Sequence, residues 1–305
     1  MSIPEPTVAV VDPAPAEEAE ERLPAWRIVL GNPLTVISMA VLAVVIVVAI
    51  AGELLAPYGI NDIDVPHALQ PPSADHWFGT DDLGRDIFSR VLVATRVSME
   101  VALVSVGFAF LVGVLVGVVS GYAGGWLDVV LMRVVDVMFA FPVILLALAI
   151  IAILGPSLFS TMLAIGVVYT PIFARVARAS TLAVRVEPFV QVSQTMGTGP
   201  GRILSRHILP NITGPIIVQT SLSLAFAILS EASLSFLGLG VQPPQPSWGR
   251  MLFDAQDYLG LAWWMSVFPG AAIFVTVLAF NLVGDGLRDV LDPKQRSLME
   301  ARRRR

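Results

Sequence analysis

Side chains able to do chemistry are few in this sequence, and two places gather them. The first is Glu231, preceded by Ser230 and placed at the end of an apolar run that begins at residue 208. A carboxylate within lipid costs several kcal/mol unless it is paired, hydrated or neutralised. Two readings follow. Either Ser230 and Glu231 line a solute path, where the carboxylate faces an amine or a metal cation, or Glu231 makes helix-interface hydrogen bonds with Ser230 and Ser233. The second place is the polar stretch 187–211. Elsewhere little is on offer: cysteine is absent, which excludes thiolate nucleophiles, disulfides and cysteine metal sites. His67, His76 and His207 share no ligand spacing of the HExxH kind, and no GxxxxGK[ST] phosphate loop occurs. No catalytic residue, no metal ligand and no cofactor or ATP site of the chain's own is expected.

Within 187–211, Pro188 suits a first helical turn. Gly197 can close that helix with a positive φ, and Gly199-Pro200 can open a second. Pro210 is then expected to separate the loop from the next apolar run. The pattern predicts a helix, a turn and a helix lying across a membrane face. Phe189, Val192 and Met196 fall on one side at i, i+3 and i+7, a knob for a partner's groove; an ordinary amphipathic interfacial loop would show the same pattern.

The elements that must position these residues follow from composition. The chain has 305 residues, 55% hydrophobic and 14% charged, against a charged share of roughly a quarter in soluble domains. Lipid is therefore its main solvent. A spanning helix needs about 20 apolar residues, and charge-free windows at 28–52, 101–127, 208–230 and 258–284 each supply one. The window 137–174 holds two, broken near Gly155-Pro156-Ser157. Six helices are predicted, in an all-α membrane protein. The net charge of −5 gives no support to nucleic-acid binding, which needs clustered cations.

Lys and Arg concentrate in the tails and in the segment from Arg175 to Arg206, so these are expected on the cytoplasmic side of a bacterial cell membrane, with both termini in the cytoplasm. The organisation expected is a disordered tail (1–24), a first transmembrane helix with an extracytoplasmic segment (25–95), a core domain (96–292) with its cytoplasmic loop at about 180–211, and a basic tail (293–305). In the extracytoplasmic segment Trp77 and Phe78 supply interfacial anchors, and the Asp81, Asp82, Arg85, Asp86 cluster can cap a helix start. Three local readings complete the pass. Arg133 pairs with Asp136 at i, i+3; Gly107, Gly113 and Gly117 permit close helix approach; Asp285, Arg288, Asp289 and Asp292 form local pairs or contact an inner partner.

The loop also resembles the permease subunits of binding-protein-dependent ABC importers, whose signature is EAA-x3-G-x9-I-x-LP. Here Gln191, Val192 and Ser193 stand at the triplet, Gly197 at the glycine, His207 at the isoleucine, and Leu209-Pro210 at the end. Three further stretches are similar to the dipeptide, oligopeptide and nickel permeases: 79–90 to GTD-x-x-GRD-x-x-SR, 230–249 to ES-x-LSFLGLG-x-x-PP-x-x-SWG, and 281–293 to NL-x-GDGLRD-x-LDP. The order of elements looks like the C-type subunit.

The resemblance implies a type I importer permease fold and a heterodimer with a second permease subunit. It implies two ATP-binding subunits carrying ATP and Mg, an extracytoplasmic substrate-binding protein, and peptide transport by alternating access, with nickel or another small solute as the alternative. It also makes the segment from Glu187 to Pro210 a coupling loop that docks into the ATP-binding subunit. A secondary transporter acting alone would need inverted repeats, none of which is evident, and an intramembrane enzyme would need a catalytic set.

Overall fold

The computed structural model describes residues 32–291, and helices make up all the regular structure there apart from an isolated bridge between Thr80 and Asp86. The predicted disordered and basic tails, and Asp292, lie outside the described residues. Helix α1 (Pro33–Leu55) starts on Asn32, whose side chain accepts from the Leu34 N–H. Next come α2 (Ile87–Ala123), α3 (Gly125–Phe139), α4 (Val143–Leu154), α5 (Leu158–Arg185) and α6 (Pro188–Thr195). After α7 (Pro200–Ile203) and a π turn (Leu204–Ile208) run α8 (Leu209–Phe236), α9 (Trp248–Ala255) and α10 (Trp264–Leu291).

Five stretches are long and apolar enough to cross a membrane, and there are six if α3 and α4, bent by 92° between them, count as one span. The division expected in the 137–174 window is present: Gly155 takes φ +82°, and Ser157 caps α5 by accepting from the Ser160 N–H. Helix α2 begins well before its charge-free window because Asp86 caps it and because Arg90 and Arg96 find carboxylate partners in Asp81 and Glu53. Charge-free windows mark the lipid-embedded depth of a helix, not its ends.

The centre of the molecule is the seam between α2 and α5. A Cβ on Gly113 would come 2.5 Å from the Thr170 carbonyl oxygen, and one on Gly117 would come 2.3 Å from that of Ala174. A stripe of small residues lets these two backbones touch, which is how helices associate where lipid gives no hydrophobic drive. Gly121 extends the stripe against Arg178, whereas Gly107 faces open space and does not belong to it. Helices α8 and α10 pack beside this pair, with Ser221 donating to the Phe280 carbonyl at 2.8 Å. The mostly exposed α1 lies against α2 and α10 at its two ends, through Gly52 on Leu92 and Thr35 on Gly286.

Loops gather at opposite ends of this bundle. Residues 56–86 and 237–263 meet over one end and form a cap. At the other end lie the α2 to α3 turn, the foot of α5 and the loop containing α6 and α7.

Candidate functional site

At the loop end, Pro188 occupies the first turn of α6. Gly197 closes the helix with φ +78°, while the Thr198 N–H reaches back to the Ser193 carbonyl at 3.1 Å. That is the Schellman arrangement. A second helix opens at Pro200 as expected. The expected break at Pro210 does not occur. Pro210 has no N–H to give to Arg206, which would interrupt an ordinary helix. The π turn Leu204–Ile208 leads into α8 without interruption, and the Asn211 side chain donates to the His207 carbonyl at 2.6 Å.

The loop is fastened to the bundle by one apolar face. Val190, Ile203 and Ile208 are at most 1% exposed. The opposite face of α6 is open: Phe189, Val192 and Met196 are 43%, 56% and 79% exposed. The structure thus brings together the three apolar residues picked out by their spacing and leaves them uncovered. Glu187 precedes the helix without a side-chain capping bond. Gln191 turns back to donate to the Val186 carbonyl at 3.0 Å, and Ser193 donates to the Phe189 carbonyl at 2.8 Å. His207 leans onto α6, with Nε2 3.4 Å from Ser193 Oγ and its ring 6.3 Å from that of Phe189. Leu209 and Pro210 are exposed.

Three arginines on α5, missed in the sequence, anchor the foot of that helix above the loop. Arg178 makes a two-pronged pair with Asp128 at 2.6 and 2.7 Å, and Ser120 donates to the same carboxylate. Arg185 donates to the Tyr122 carbonyl at 3.0 Å, at the end of α2. Arg178 and Arg185 stand seven residues apart, two helical turns on one face, and that spacing was the available signal. Arg175 takes Asp136 at 2.8 Å and covers the Phe139 ring at 3.9 Å. Asp136 therefore pairs across helices rather than with Arg133, because the guanidinium from α5 arrives with both a charge and an aromatic seat.

At the cap end, Glu231 is fully buried. Its carboxylate accepts from Ser235 at 2.7 Å and Ser98 at 3.2 Å, so its partners are not Ser230 and Ser233. Ser98 in turn accepts from the Trp248 N–H, and Ser235 from the Val241 N–H. The carboxylate thus ties α2, α8 and the start of α9 together. Ser230, one residue earlier, faces α5 instead, where its hydroxyl is 3.1 Å from Tyr169 Oη. These two hydroxyls edge an otherwise apolar pocket walled by Val143, Ile144, Ile165, Val168 and Leu234.

The rest of the cap is built from the acidic and basic residues of 79–90. Asp81 accepts from the Leu83 and Arg85 N–H groups and from Arg85 Nε, all within 2.9 Å, and lies 3.7 Å from Arg90. Asp86 takes the Ser89 N–H and hydroxyl on one oxygen, while its other oxygen is 2.9 Å from His76 Nδ1. Burial, and then the neighbouring Asp81, raise the Asp82 carboxyl above the usual carboxylate range. Trp264 at the start of α10 donates to the Thr80 carbonyl at 3.0 Å and packs on Gly79, which takes φ +75°. Phe78 stacks on Phe268 at 3.8 Å, whereas Trp77 is 61% exposed.

Comparison with known proteins places this architecture. Residues 113–297 match the family described as binding-protein-dependent transport system inner membrane component. Residues 24–72 match the N-terminal transmembrane domain of oligopeptide transport permease C. The chain is 44% identical to the dipeptide transport system permease protein DppC of Alkalihalophilus pseudofirmus, over 93% of this chain and 94% of that one. It is 46% identical to the probable D,D-dipeptide transport system permease protein DdpC of Escherichia coli K12, over 87% and 89%. With the glutathione transport system permease protein GsiD of Pectobacterium atrosepticum it shares 43% identity, over 89% and 91%. A solved structure of the MetNI methionine ABC transporter, in an inward-facing conformation, shares the fold at a TM-score of 0.53 and 18% identity, covering 64% of this chain and 93% of that one. Related by sequence over most of its length and by fold across the helical bundle, the chain belongs to the binding-protein-dependent transport system inner membrane components, as a multi-pass permease of the dipeptide/oligopeptide ABC importer type.

Proposed function

We propose that this permease forms half of the path of a peptide importer and receives the work of ATP hydrolysis through α6. The observation that carries the reading is the two-faced loop: Val190, Ile203 and Ile208 are buried in the bundle while Phe189, Val192 and Met196 stand uncovered beside them. An apolar helical face of this kind seeks a groove on a partner. In this scheme the partner is an ATP-binding subunit, one of two that carry ATP and Mg, and the chain binds no cofactor itself. A second permease subunit completes the path, an extracytoplasmic binding protein delivers the peptide, and both termini and α6 lie in the cytoplasm.

The mechanism is alternating access. Closure of the ATP-binding subunits pushes α6. The push passes through Val190 and the π turn to α8, and through the arginine anchors of α5 to α2. Motion of α5 against α8 then alters the pocket edged by Tyr169 and Ser230, which we assign to the path. Glu231 acts in this account as the tie that keeps α2, α8 and the cap moving as one body. Peptide as cargo follows from the dipeptide and glutathione systems named for the relatives.

The test is uptake of labelled dipeptides into proteoliposomes holding the assembled complex. Replacing Phe189, Val192 and Met196 with aspartate is expected to abolish peptide-stimulated ATP hydrolysis and uptake together. Retention of both would overturn the coupling assignment. Failure of every di- and oligopeptide tried, in a complex whose ATPase responds to another solute, would overturn the cargo alone.

A further inference from the structure

Helix α3 is held to the bundle by one side and carries an unusual stripe on the other. Asp128 pairs with Arg178 and Asp136 with Arg175. The two aspartates are eight residues apart, about 12 Å along α3, whereas their partners stand three residues apart on α5. Helix α3 therefore crosses α5 instead of running along it, and the chain turns by 92° before α4 lines up beside α5. The outer stripe of α3 consists of Trp126, Val129, Val130, Val134 and Val137, all between 50% and 76% exposed.

Arg133 lies in the middle of that stripe and is exposed as well. Trp126, Val129 and Val130 precede it by seven, four and three residues and Val137 follows by four, so all share its face. Both carboxylates of α3 are taken by arginines of α5, and no carboxylate among the described residues pairs with Arg133. Lipid would accept the valines but not a guanidinium at their centre, because a charge on a membrane-embedded face is costly unless it is paired. Arginine at the centre of an apolar patch is instead a feature of protein interfaces. We propose that this face of α3 docks the second permease subunit, which sets a carboxylate of its own against Arg133.

The choice of occupant rests on the reading that this chain forms half of the path. Exposed apolar residues continue from α3 through Phe141 at the bend to Val143 and Ile144 on α4. Val143 and Ile144 also wall the pocket edged by Tyr169 and Ser230. The pocket assigned to the path thus adjoins the stripe, and a subunit that completes the path must lie against this surface. Helix α1 makes the contrast: Val44, Val47 and Ile50 are equally exposed, and no charge interrupts the run from Pro33 to Gly52. That face suits lipid.

The experiment uses the assembled importer in its membrane, with the photoreactive residue benzoylphenylalanine placed singly at Val130, Val134, Val137 and, as a control, Ile50. Illumination is expected to join each α3 position to the second permease subunit and to leave Ile50 without a protein adduct. Three outcomes at α3 overturn the proposal: no protein adduct, which means lipid covers the stripe; an adduct with an ATP-binding subunit; or an adduct within this chain, which means one of its own tails covers it. The charge is tested separately through recovery of the second permease with the tagged chain. Arg133→Glu is expected to lower that recovery by roughly tenfold or more, while Arg133→Lys retains most of it. One Asp→Arg or Glu→Arg change in the second subunit, at a residue next to the adducts, is expected to restore recovery with Arg133→Glu, which also shows that the variant folds. Undiminished recovery with Arg133→Glu, or no rescue at any such residue, overturns the ion pair. If no second permease is ever recovered with the native chain, the half-path reading itself fails; if it is recovered and the α3 labels miss it, only the docking face fails.

Discussion

The two ends of the bundle solve opposite problems with the same kinds of residue. At the cap end, charged and polar side chains are buried and paired: Asp81 with Arg85 and Arg90, Asp86 with Ser89, and Glu231 with Ser98 and Ser235. At the loop end, apolar side chains are exposed: Phe189, Val192 and Met196 face outward from a helix fastened by three buried residues. A buried charge cluster resists rearrangement because breaking any one pair strands the other charge in a poor solvent. An exposed apolar face is satisfied only by a partner. The difference teaches that the cap is held by its own paired side chains, whereas the loop end presents a face that its own chain leaves uncovered.

Substitutions that break this contrast should scale with how many partners are stranded. The largest loss is expected from Asp81→Ala, which leaves Arg85 and Arg90 without their main carboxylate; about 3–5 kcal/mol of stability should go, read as a large drop in thermal unfolding temperature in detergent. Glu231→Ala comes next, at about 1–3 kcal/mol, because Ser98 and Ser235 lose their acceptor in a fully buried site. If Glu231→Ala proved harmless to folding and instead altered peptide selectivity, the carboxylate would belong to the path rather than to the tie.

A smaller effect of opposite sign is expected at Asp82. Burial and Asp81 raise its carboxyl in the folded state, so its ionised form opposes folding. Its contribution is most favourable below the ordinary aspartate pKa and is lost as pH rises through the raised folded value. Asp82→Asn should therefore stabilise the protein at neutral pH by less than about 1 kcal/mol, with the advantage fading as the pH is lowered, measurable from unfolding temperatures across pH 3–7. The smallest change in stability, within about 0.5 kcal/mol, is expected for Val192→Asp on the exposed face of α6. That variant should still lose peptide-stimulated ATP hydrolysis, which gives the contrast its sharpest form: a residue without weight in the fold and with full weight in function.

The readable parts of the sequence were those governed by local or one-dimensional rules. Gly197 and Pro188 gave the bounds of α6 because positive φ and a missing N–H act within a turn. The Gly155-Pro156-Ser157 break was equally plain. Pro210 misled, since the π turn that carries the chain past it depends on the Asn211 bond and on the packing of Ile208. Asp136 misled for a related reason: Arg133 is its neighbour in sequence, but Arg175 reaches it from another helix. Gly107 looks like Gly113 and Gly117 in sequence and differs from them in that, among the described residues, nothing lies within 4 Å of where its Cβ would stand.

The amino-acid sequence alone determined that the chain lives in lipid, how many times its apolar windows allow it to cross, and which short helix carries an apolar stripe. Those properties follow from transfer free energies and backbone preferences, which add up along a chain without reference to distant residues. Only the tertiary structure decided that Glu231 is a tie to Ser98 and Ser235, that the 79–90 stretch is a charged cap under Trp264, and that Ser193 meets His207. The physical reason is that a polar side chain in a lipid-embedded protein must take whichever partner the packed helices bring within 3 Å or so, and that choice belongs to the packing, not to the spacing of letters.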